Sequence, residues 1–94
     1  MEEIHIEHAP GRFVARLGGT EAVLVYERRG DVLDIQSTYT PPEQRGRNVA
    51  ALLTRAALDY ARAEGLRVVP TCSYTRRYLE RHPEWAPLVR ERRS

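Results

Sequence analysis

The period of the apolar residues changes once along the chain, near residue 40, and this change constrains the fold more than any other feature. Before it, apolar and polar residues alternate in four short runs, as in Ile4 to Glu7 or Phe13 to Leu17. A period of two is typical of a strand with one buried face. Glycine-containing turns separate the runs: Pro10–Gly11, Gly18–Gly19 and Arg29–Gly30–Asp31. The first forty residues therefore predict an antiparallel meander of four strands.

After residue 40 the pattern becomes helical. From about Arg47 to Glu64 the apolar residues recur on one side of a helix: Val49, Leu52, Leu53, Ala56, Ala57, Tyr60 and Ala61. Gly65 stands where a helix C-terminal cap is expected. The apolar run LRVVPTC predicts a buried strand that bends or loses a neighbour at Pro70, because proline cannot donate to a ladder. A short helix is then expected from about Thr75 to Arg81, since the residue before Pro83 avoids the helical region.

These elements form one α+β domain over residues 1–94. The segment from about residue 32 to residue 72 reads strand, helix, strand, so the two strands that flank the long helix should run parallel. The sequence therefore predicts a mostly antiparallel mixed sheet of about five strands, built from a four-strand meander, a helix, a parallel fifth strand and a short helix. Residues 87–94, PLVRERRS, are polar and basic and are expected to fray as a tail.

Composition argues against several functional classes. Cys72 is the single cysteine, so no intrachain disulfide or multi-cysteine zinc site can form, and His5, His8 and His82 lack metal-ligand spacing. We expect no metal. No segment approaches the roughly 18 apolar residues of a membrane span, so no membrane is expected. A net charge of +2 and 7 % aromatic residues argue against a nucleic-acid partner. The single cysteine and the lack of a long apolar segment predict a cytoplasmic location.

The long helix opens on a basic turn, in the stretch PPEQRGRNVAALL. The amino end of a helix leaves backbone N–H groups unpaired and carries a partial positive charge, so it can receive a phosphate. Gly46 permits close approach of the backbone, and Arg45 and Arg47 add charge. Two interpretations follow from this spacing and stay open: the turn only starts the helix, or it holds an anion.

The turn also resembles a known motif. Residues 45–50, Arg-Gly-Arg-Asn-Val-Ala, are similar to the acyl-CoA pyrophosphate loop of the GNAT acyltransferases, in which Gln or Arg is followed by two residues, glycine, one residue, and Gly or Ala. Arg45 and Ala50 match the outer positions, whereas Asn48 stands where the family has glycine. Because asparagine tolerates left-handed backbone better than other non-glycine residues, the loop is expected to keep its shape.

The resemblance extends from about Ile4 to Trp85 and is to a compact, single-domain branch of the GNAT superfamily. It implies a sheet that splays open between the strands before and after the long helix, with CoA in the gap. Only Pro10 and Gly11 occupy the place where larger members carry two helices that help to build the acceptor site, so an open, shallow acceptor side is expected. The residues implied in binding the cofactor are Thr38, Thr40, Arg45, Gly46, Arg47, Asn48, Val49 and Ala50.

Cys72 ends the predicted last strand. A lone cysteine on an apolar strand is ordinarily a small buried core residue. The compact branch, however, carries a Pro-x-Cys motif here, matched by Pro70, Thr71 and Cys72, and the resemblance puts the thiol where the thioester arrives. A reactive thiolate needs nearby positive charge or a helix amino end, which the short helix could supply. Whether the acyl group transfers to Cys72 is left open.

Tyr78 is the second catalytic candidate. It resembles the tyrosine that protonates the departing CoA thiolate in many GNAT enzymes. The alternatives are that Tyr78 only packs its ring on the sheet, or that Tyr74 is the relevant phenol.

The resemblance implies an acyl-CoA-dependent N-acyltransferase that uses acetyl-CoA as donor and an unidentified amine as acceptor, without a metal. The alternative is a CoA-binding or acyl-sensing module without turnover. This alternative is favoured by the missing acceptor helices and by Asn48 in the loop. A small basic nucleic-acid binder is the third and weakest hypothesis.

Overall fold

The computed structural model describes residues 4–89, which form a five-stranded sheet, two α-helices and two short 3-10 helices. The elements are β1 (His5–Ala9), β2 (Arg12–Leu17), β3 (Thr20–Arg29), β4 (Val32–Tyr39), a 3-10 helix (Pro42–Gln44), α1 (Val49–Glu64), β5 (Arg67–Pro70), α2 (Ser73–Arg81) and a second 3-10 helix (Pro83–Leu88). The strands lie in the order β1-β2-β3-β4-β5. The predicted meander, helix and fifth strand are all present.

The first four strands pair antiparallel, and β5 pairs parallel to β4. This confirms the predicted mixed sheet and crossover. The β4–β5 ladder is short and ends where Ile35 pairs with Pro70. A proline at this place costs the sheet little, because β5 lies at the edge of the described sheet and the two strands separate after this pair. The part of β4 after Ile35 therefore has no β5 residue paired with it.

The core lies between one face of the sheet and α1. The apolar residues expected to alternate inward are buried, among them Ala15, Leu24, Leu33 and Ile35. Helix α1 covers them with the stripe that the helical period predicts. Of the predicted stripe, Val49, Leu53, Ala57 and Ala61 are buried. Leu52 was wrongly included, since it is exposed, and Leu58 is buried although the stripe did not contain it. Burial of this apolar face is the main source of stability for a helix of this kind.

Both helix starts differ from the sequence prediction by about two residues. α1 begins at Val49 because Asn48 has left-handed backbone (φ 62°), which cannot continue a helix. α2 begins at Ser73 rather than near Thr75, with Cys72 as its extended N-cap residue. The C-terminal cap at Gly65 is as expected: its φ is 70°, and the N–H of Leu66 donates to the carbonyl of Ala61 (2.8 Å).

The chain after α2 packs back onto the domain. Trp85 is buried, and the guanidinium of Arg62 lies 4.5 Å from its ring centroid. Val89 forms a parallel bridge with Val68 of β5, so backbone pairing continues into the segment 87–94 that was expected to fray. The remainder of that segment lies outside the described residues. Within residues 4–89 no helix is long and apolar enough to cross a membrane, and no group of side chains could hold a metal ion.

Candidate active site

The turn before α1 has the backbone geometry of a glycine-rich loop. Gly46 has φ 82° and Asn48 has φ 62°, and Asn48 is the single non-glycine residue with positive φ in the described part of the chain. Asparagine is one of the few residues that adopts this conformation at moderate cost. The side chain of Asn48 makes no capping hydrogen bond to α1. Asn48 therefore takes the backbone conformation for which the related loop uses glycine.

A cavity of about 410 Å³ opens over this turn. Its lining residues come from the end of β4, the turn and the first residues of α1, together with one tyrosine of α2: Thr40, Gln44, Arg45, Gly46, Asn48, Val49, Ala50, Ala51 and Tyr74. The side chain of Arg45 is held by a hydrogen bond from its Nε to the carbonyl of Thr40 (3.2 Å). Six of the eight residues expected to bind the cofactor thus line one cavity. Arg47 is exposed and lines neither this cavity nor the next one.

A second cavity, of about 490 Å³, lies between α1 and α2. We call it the basic cleft. Its lining residues are Asn48, Ala51, Leu52, Arg55, Tyr74, Arg77, Tyr78, Arg81 and His82. Three of them are arginines, and three others, Asn48, Ala51 and Tyr74, also line the cavity over the turn. The two cavities are therefore adjacent and share a wall, and together we call them the groove, whose basic end is the basic cleft.

The three arginines of the basic cleft were not predicted from the sequence, although Asn48, Tyr74 and Tyr78 were named. A signal was present, because Tyr74 and Tyr78, and likewise Arg77 and Arg81, are four residues apart and so share a helix face. What the sequence alone does not give is that this face lies opposite Arg55 of α1. That proximity depends on how the two helices pack.

A β-bulge in β4 determines which side chains face the groove. Val25 pairs with Ser37 and Tyr26 pairs with Ile35, so Gln36 is an extra residue in the ladder. An extra residue reverses the alternation of faces beyond it. Thr38 consequently pairs with buried Leu24 and points to the same face as Ile35, toward the helices. Uninterrupted alternation from Ile35 would have turned Thr38 away.

Thr38 and Cys72 meet just beyond the end of the β4–β5 ladder. The Oγ1 of Thr38 lies 3.6 Å from the Sγ of Cys72. The backbone N–H of Cys72 donates to the carbonyl of Ile35 (2.9 Å), which fixes the chain as it leaves the sheet. The sulfur is mostly buried, with the residue 8 % exposed. The residue pair that the resemblance assigns to the pantetheine end is therefore in direct contact.

The thiol of Cys72 is polarised by its position at the amino end of α2. Burial raises its pKa, but hydrogen bonding opposes burial, and the pKa is lowered overall from its ordinary value. The strongest opposing contribution comes from the backbone N–H of Thr75, followed by the hydroxyls of Thr38 and Thr75 and the N–H of Tyr74. These groups favour the thiolate because each donates toward the sulfur.

Thr75 is a buried polar residue with no role in the apolar core. The residue is fully buried, and its hydroxyl has no hydrogen-bond partner of normal geometry among the described residues. An unsatisfied buried hydroxyl ordinarily costs free energy. Its closeness to the sulfur of Cys72 contributes to the lowered pKa of that thiol. Together with Thr38, it gives the sulfur two neighbouring hydroxyls.

The two tyrosines of α2 occupy different places. The ring of Tyr78 stacks on His82 (centroids 4.0 Å apart) in the wall of the basic cleft, and burial raises the pKa of its phenol. Tyr74 lines both cavities; burial raises the pKa of its phenol, and the nearby Cys72 thiolate raises it further. No hydrogen bond joins Tyr78 to Cys72 within residues 4–89. Of the two phenols, Tyr74 is thus the one whose pKa responds to Cys72.

The acceptor side has no additional helices in the described chain. β1 and β2 are joined directly by a hairpin at Pro10 and Gly11, where Gly11 has φ 78°. The hairpin at Pro10 and Gly11 is as expected, and an open acceptor side stays a prediction.

Comparisons with known proteins agree on a family. The sequence model of one family, described as GCN5-related N-acetyl-transferase, matches residues 12–88. Protein NATD1 from Homo sapiens is 40 % identical over 85 residues, which cover 85 % of this chain and 75 % of that protein. Protein NATD1 from Gallus gallus is also 40 % identical, covering 85 % and 77 %, and that from Danio rerio is 36 % identical.

A solved structure shares the fold. The NMR solution structure of a GCN5-like N-acetyltransferase chain from Staphylococcus aureus superposes with a TM-score of 0.74 and covers 95 % of this chain and 90 % of its own. The sequence identity is 21 %. The match establishes a common architecture.

Proposed function

Because the chain belongs to the GCN5-related N-acetyltransferase family, we propose that it transfers an acyl group from a CoA thioester to an amine, with acetyl-CoA as the donor. The observation that carries this proposal is the adjacency of the two cavities. The cavity over the turn and the basic cleft share Asn48, Ala51 and Tyr74 in their walls, and the nearby Cys72 thiolate raises the pKa of Tyr74. A phosphate-rich ligand with a reactive sulfur at one end suits such an arrangement.

The pyrophosphate is proposed to bind at the turn. The first N–H groups of α1 have no capping side chain from Asn48, and no acidic residue lies in the first turn of this helix. Such an end attracts an anion through its N–H groups and its dipole. Arg45 and Arg47 would add charge on either side of Gly46. The left-handed backbone of Asn48 supports this role, because it keeps the turn in the shape that the family motif requires.

The nucleotide end of CoA is proposed to occupy the basic cleft. Arg55, Arg77 and Arg81 can receive its 3′-phosphate, since guanidinium groups bind phosphate through paired N–H donors. The purine ring would lie against Tyr78, whose ring forms part of the wall. These residues extend the binding site beyond the eight that the sequence indicates.

The pantetheine arm is proposed to run along β4 between Thr40 and Thr38. Beyond Ile35 this strand has no β5 partner, so an extended ligand with amide groups can pair with its free edge. This route leads from the cavity over the turn to Cys72. The thioester would then lie beside the Thr38–Cys72 contact.

Two chemical routes fit the site. In direct transfer, the amine nitrogen attacks the thioester carbonyl, the C–S bond breaks, and the CoA sulfur leaves with a proton from a phenol. The nitrogen loses one proton as the amide forms, and a proton taken up from solvent restores the phenol. Tyr74 and Tyr78 both have raised pKa values and therefore stay protonated at neutral pH. In the covalent route, the thiolate of Cys72 attacks the carbonyl first, CoA leaves, and the amine then attacks the new thioester.

The test is native mass spectrometry of freshly purified protein, followed by acetyl transfer to a panel of amines. A co-purifying mass of CoA or acetyl-CoA, together with acetylated product, supports the proposal. Bound CoA without transfer to any amine would favour the alternative of a CoA-binding or acyl-sensing module. Absence of binding to added CoA would refute both.

A thiol that must stay reduced also leads us to propose a cytoplasmic location.

A further inference from the structure

Asp34 is a charged residue that neither the core nor the proposed reaction explains. It is 8 % exposed and lies between Leu33 and Ile35, which are both fully buried on the face that α1 covers. Its neighbours in the ladders are Glu27 of β3 and Val69 of β5. Asp34 therefore points to the opposite face of the sheet. A nearly buried carboxylate needs hydrogen-bonding partners to offset its lost hydration.

The carboxylate of Asp34 bonds to two other parts of the chain. Its Oδ1 accepts a hydrogen bond from the hydroxyl of Thr71 (2.5 Å), and its Oδ2 accepts one from Nη2 of Arg29 (3.3 Å). Arg29 also bonds to Glu27 (2.7 Å). The contact with Thr71 joins the middle of β4 to the short connection between β5 and α2. That connection consists of Thr71 and Cys72.

The connection is held at several further points. The N–H of Cys72 donates to the carbonyl of Ile35 (2.9 Å). From α2, Nη1 of Arg76 donates to the carbonyls of Thr71 (2.8 Å) and Pro70 (3.1 Å). Consecutive residues here point to opposite faces: Thr71 reaches Asp34 on one face, and Cys72 reaches Thr38 on the other. Fixing Thr71 therefore also restricts the direction of the Cys72 side chain.

We propose that Asp34 is a positioning residue for Cys72. Through Thr71 it fixes the connection so that the sulfur stays against Thr38 and in line with the N–H groups at the start of α2. Asp34 does not touch the sulfur itself. The use of this arrangement in acyl transfer rests on the proposed function, but the positioning does not, because it can be measured on the free protein.

The sign of the effect separates positioning from plain electrostatics. A nearby negative charge disfavours a thiolate, so removing the carboxylate should by Coulomb's law lower the pKa of the thiol. Loss of positioning does the reverse, because the sulfur loses aligned donors. The groups that face Cys72 are Thr38 from β4 and Tyr74 and Thr75 from α2, and Tyr74 is the titratable one. The charged partner of Asp34 is Arg29 from β3.

The experiment measures the rate of Cys72 alkylation by iodoacetamide against pH, without any ligand. We expect Thr71→Val and Asp34→Ala to raise the midpoint by about half to one pH unit and to slow alkylation at pH 7 about two- to threefold, since a less acidic thiol is less ionised but more nucleophilic. Thr71→Ser keeps the hydroxyl and should restore the wild-type midpoint. Glu27→Ala is the matched control, because it removes a carboxylate from Arg29 without touching Thr71.

An unchanged or lowered midpoint in Thr71→Val would overturn the proposal, and so would an equal rise in Glu27→Ala. Because Thr71 is exposed, its variants are expected to fold, and they test the proposal even if Asp34→Ala does not fold. Protection of Cys72 from alkylation by added CoA is measured separately on the wild-type protein. If CoA does not protect the thiol but Thr71→Val still raises the midpoint, the proposed function fails and the positioning role of Asp34 stands.

Discussion

The hydroxyl of Thr38 lies 3.6 Å from the sulfur of Cys72, although the two residues are 34 positions apart in the chain. Three features bring them together. The parallel pairing of β4 and β5 aligns the two segments, the end of that pairing after Ile35 and Pro70 leaves room beside the sulfur, and the bulge at Gln36 turns Thr38 toward it. The contact is thus a product of the crossover and a one-residue insertion in the ladder.

The first prediction concerns the thiol. The pH midpoint for alkylation of Cys72 should lie below that of a free cysteine, because the donors at the start of α2 and the Thr38 hydroxyl lower its pKa. Thr38→Val should raise this midpoint, and Thr38→Ser should not. The measurement is the rate of iodoacetamide labelling from pH 5 to 10, followed by mass spectrometry. A midpoint above that of free cysteine would mean that burial outweighs the donors.

The second prediction concerns the phosphate loop. CoA should raise the melting temperature of the wild-type protein, and Arg45→Ala should weaken CoA binding by about 1.5–3 kcal/mol, or tenfold or more in Kd, because one charged hydrogen-bonding partner is lost. Arg12→Ala is the control, since Arg12 is an exposed arginine on β2 outside both cavities. Isothermal titration with CoA measures the dissociation constant of each variant. Equal affinities in the two variants would remove Arg45 from the site.

The third prediction follows from the left-handed backbone of Asn48. Glycine adopts this conformation at no steric cost, so Asn48→Gly should leave the free energy of unfolding unchanged or slightly higher, whereas Asn48→Ala should lower it by about 1 kcal/mol. Ala56→Gly is the control, because Ala56 lies in the middle of α1, where glycine costs about 1 kcal/mol. Urea denaturation measures all three variants. Destabilisation by Asn48→Gly as large as that by Ala56→Gly would contradict the observed geometry.

The fourth prediction tests the basic cleft. The protein should bind CoA more tightly than 3′-dephospho-CoA, and replacing Arg77 and Arg81 together with alanine should abolish most of that difference while leaving the affinity for 3′-dephospho-CoA nearly unchanged. The expected preference is roughly tenfold or more, since a phosphate–arginine contact contributes roughly 1.5–3 kcal/mol. Competition binding with the two ligands provides the measurement. No preference in the wild-type protein would place the nucleotide end outside the cleft.

The fifth prediction assigns the chemical roles. If transfer is direct, Cys72→Ser should retain most activity, and the phenylalanine variant of the proton-donating tyrosine should lose it. Tyr74→Phe and Tyr78→Phe are compared because the Cys72 thiolate raises the pKa of Tyr74 but does not affect that of Tyr78. If transfer is covalent, Cys72→Ser should be inactive and intact protein should gain one acetyl mass on incubation with acetyl-CoA. Steady-state rates and intact mass decide between the two.

The sequence predicts most of the fold because the fold is dominated by local patterns. Alternation and glycine turns identify the four-strand meander, and the helical period identifies α1. The parallel fifth strand follows from the crossover. The start of α2 did not follow from the sequence. This helix begins two residues earlier than expected, because Cys72 takes the N-cap position. No pattern in the sequence distinguishes a helix that starts at Ser73 from one that starts at Thr75.

Several site features depend on contacts that no local pattern encodes. Alternation shows that Asp34 faces away from α1, but not that Thr71 and Arg29 would enclose it. The basic cleft likewise requires the packing of α1 against α2.

The position of His8 could have been predicted from the sequence. His8 has the same parity as Ile4 and Ile6 and so belongs to the inward face of β1. In the structure its ring stacks on Phe13 (centroids 4.1 Å apart) and bonds to the hydroxyl of Tyr26. Partial burial lowers the pKa of His8. Extending the alternation by one more step would have predicted this position.

The crossover that brings Thr38 to Cys72 also determines when the site can form as the protein folds. Strands β1 to β4 are joined by tight turns and can pair through short loops, whereas β5 must find β4 across the whole of α1, which costs more chain entropy. The pairing that follows consists of four residue pairs at the sheet edge. Such an edge is among the first parts of a domain to open. We therefore expect the contact between Thr38 and Cys72 to be among the last to form and the first to open, and a bound ligand that spans both strands to hold it closed.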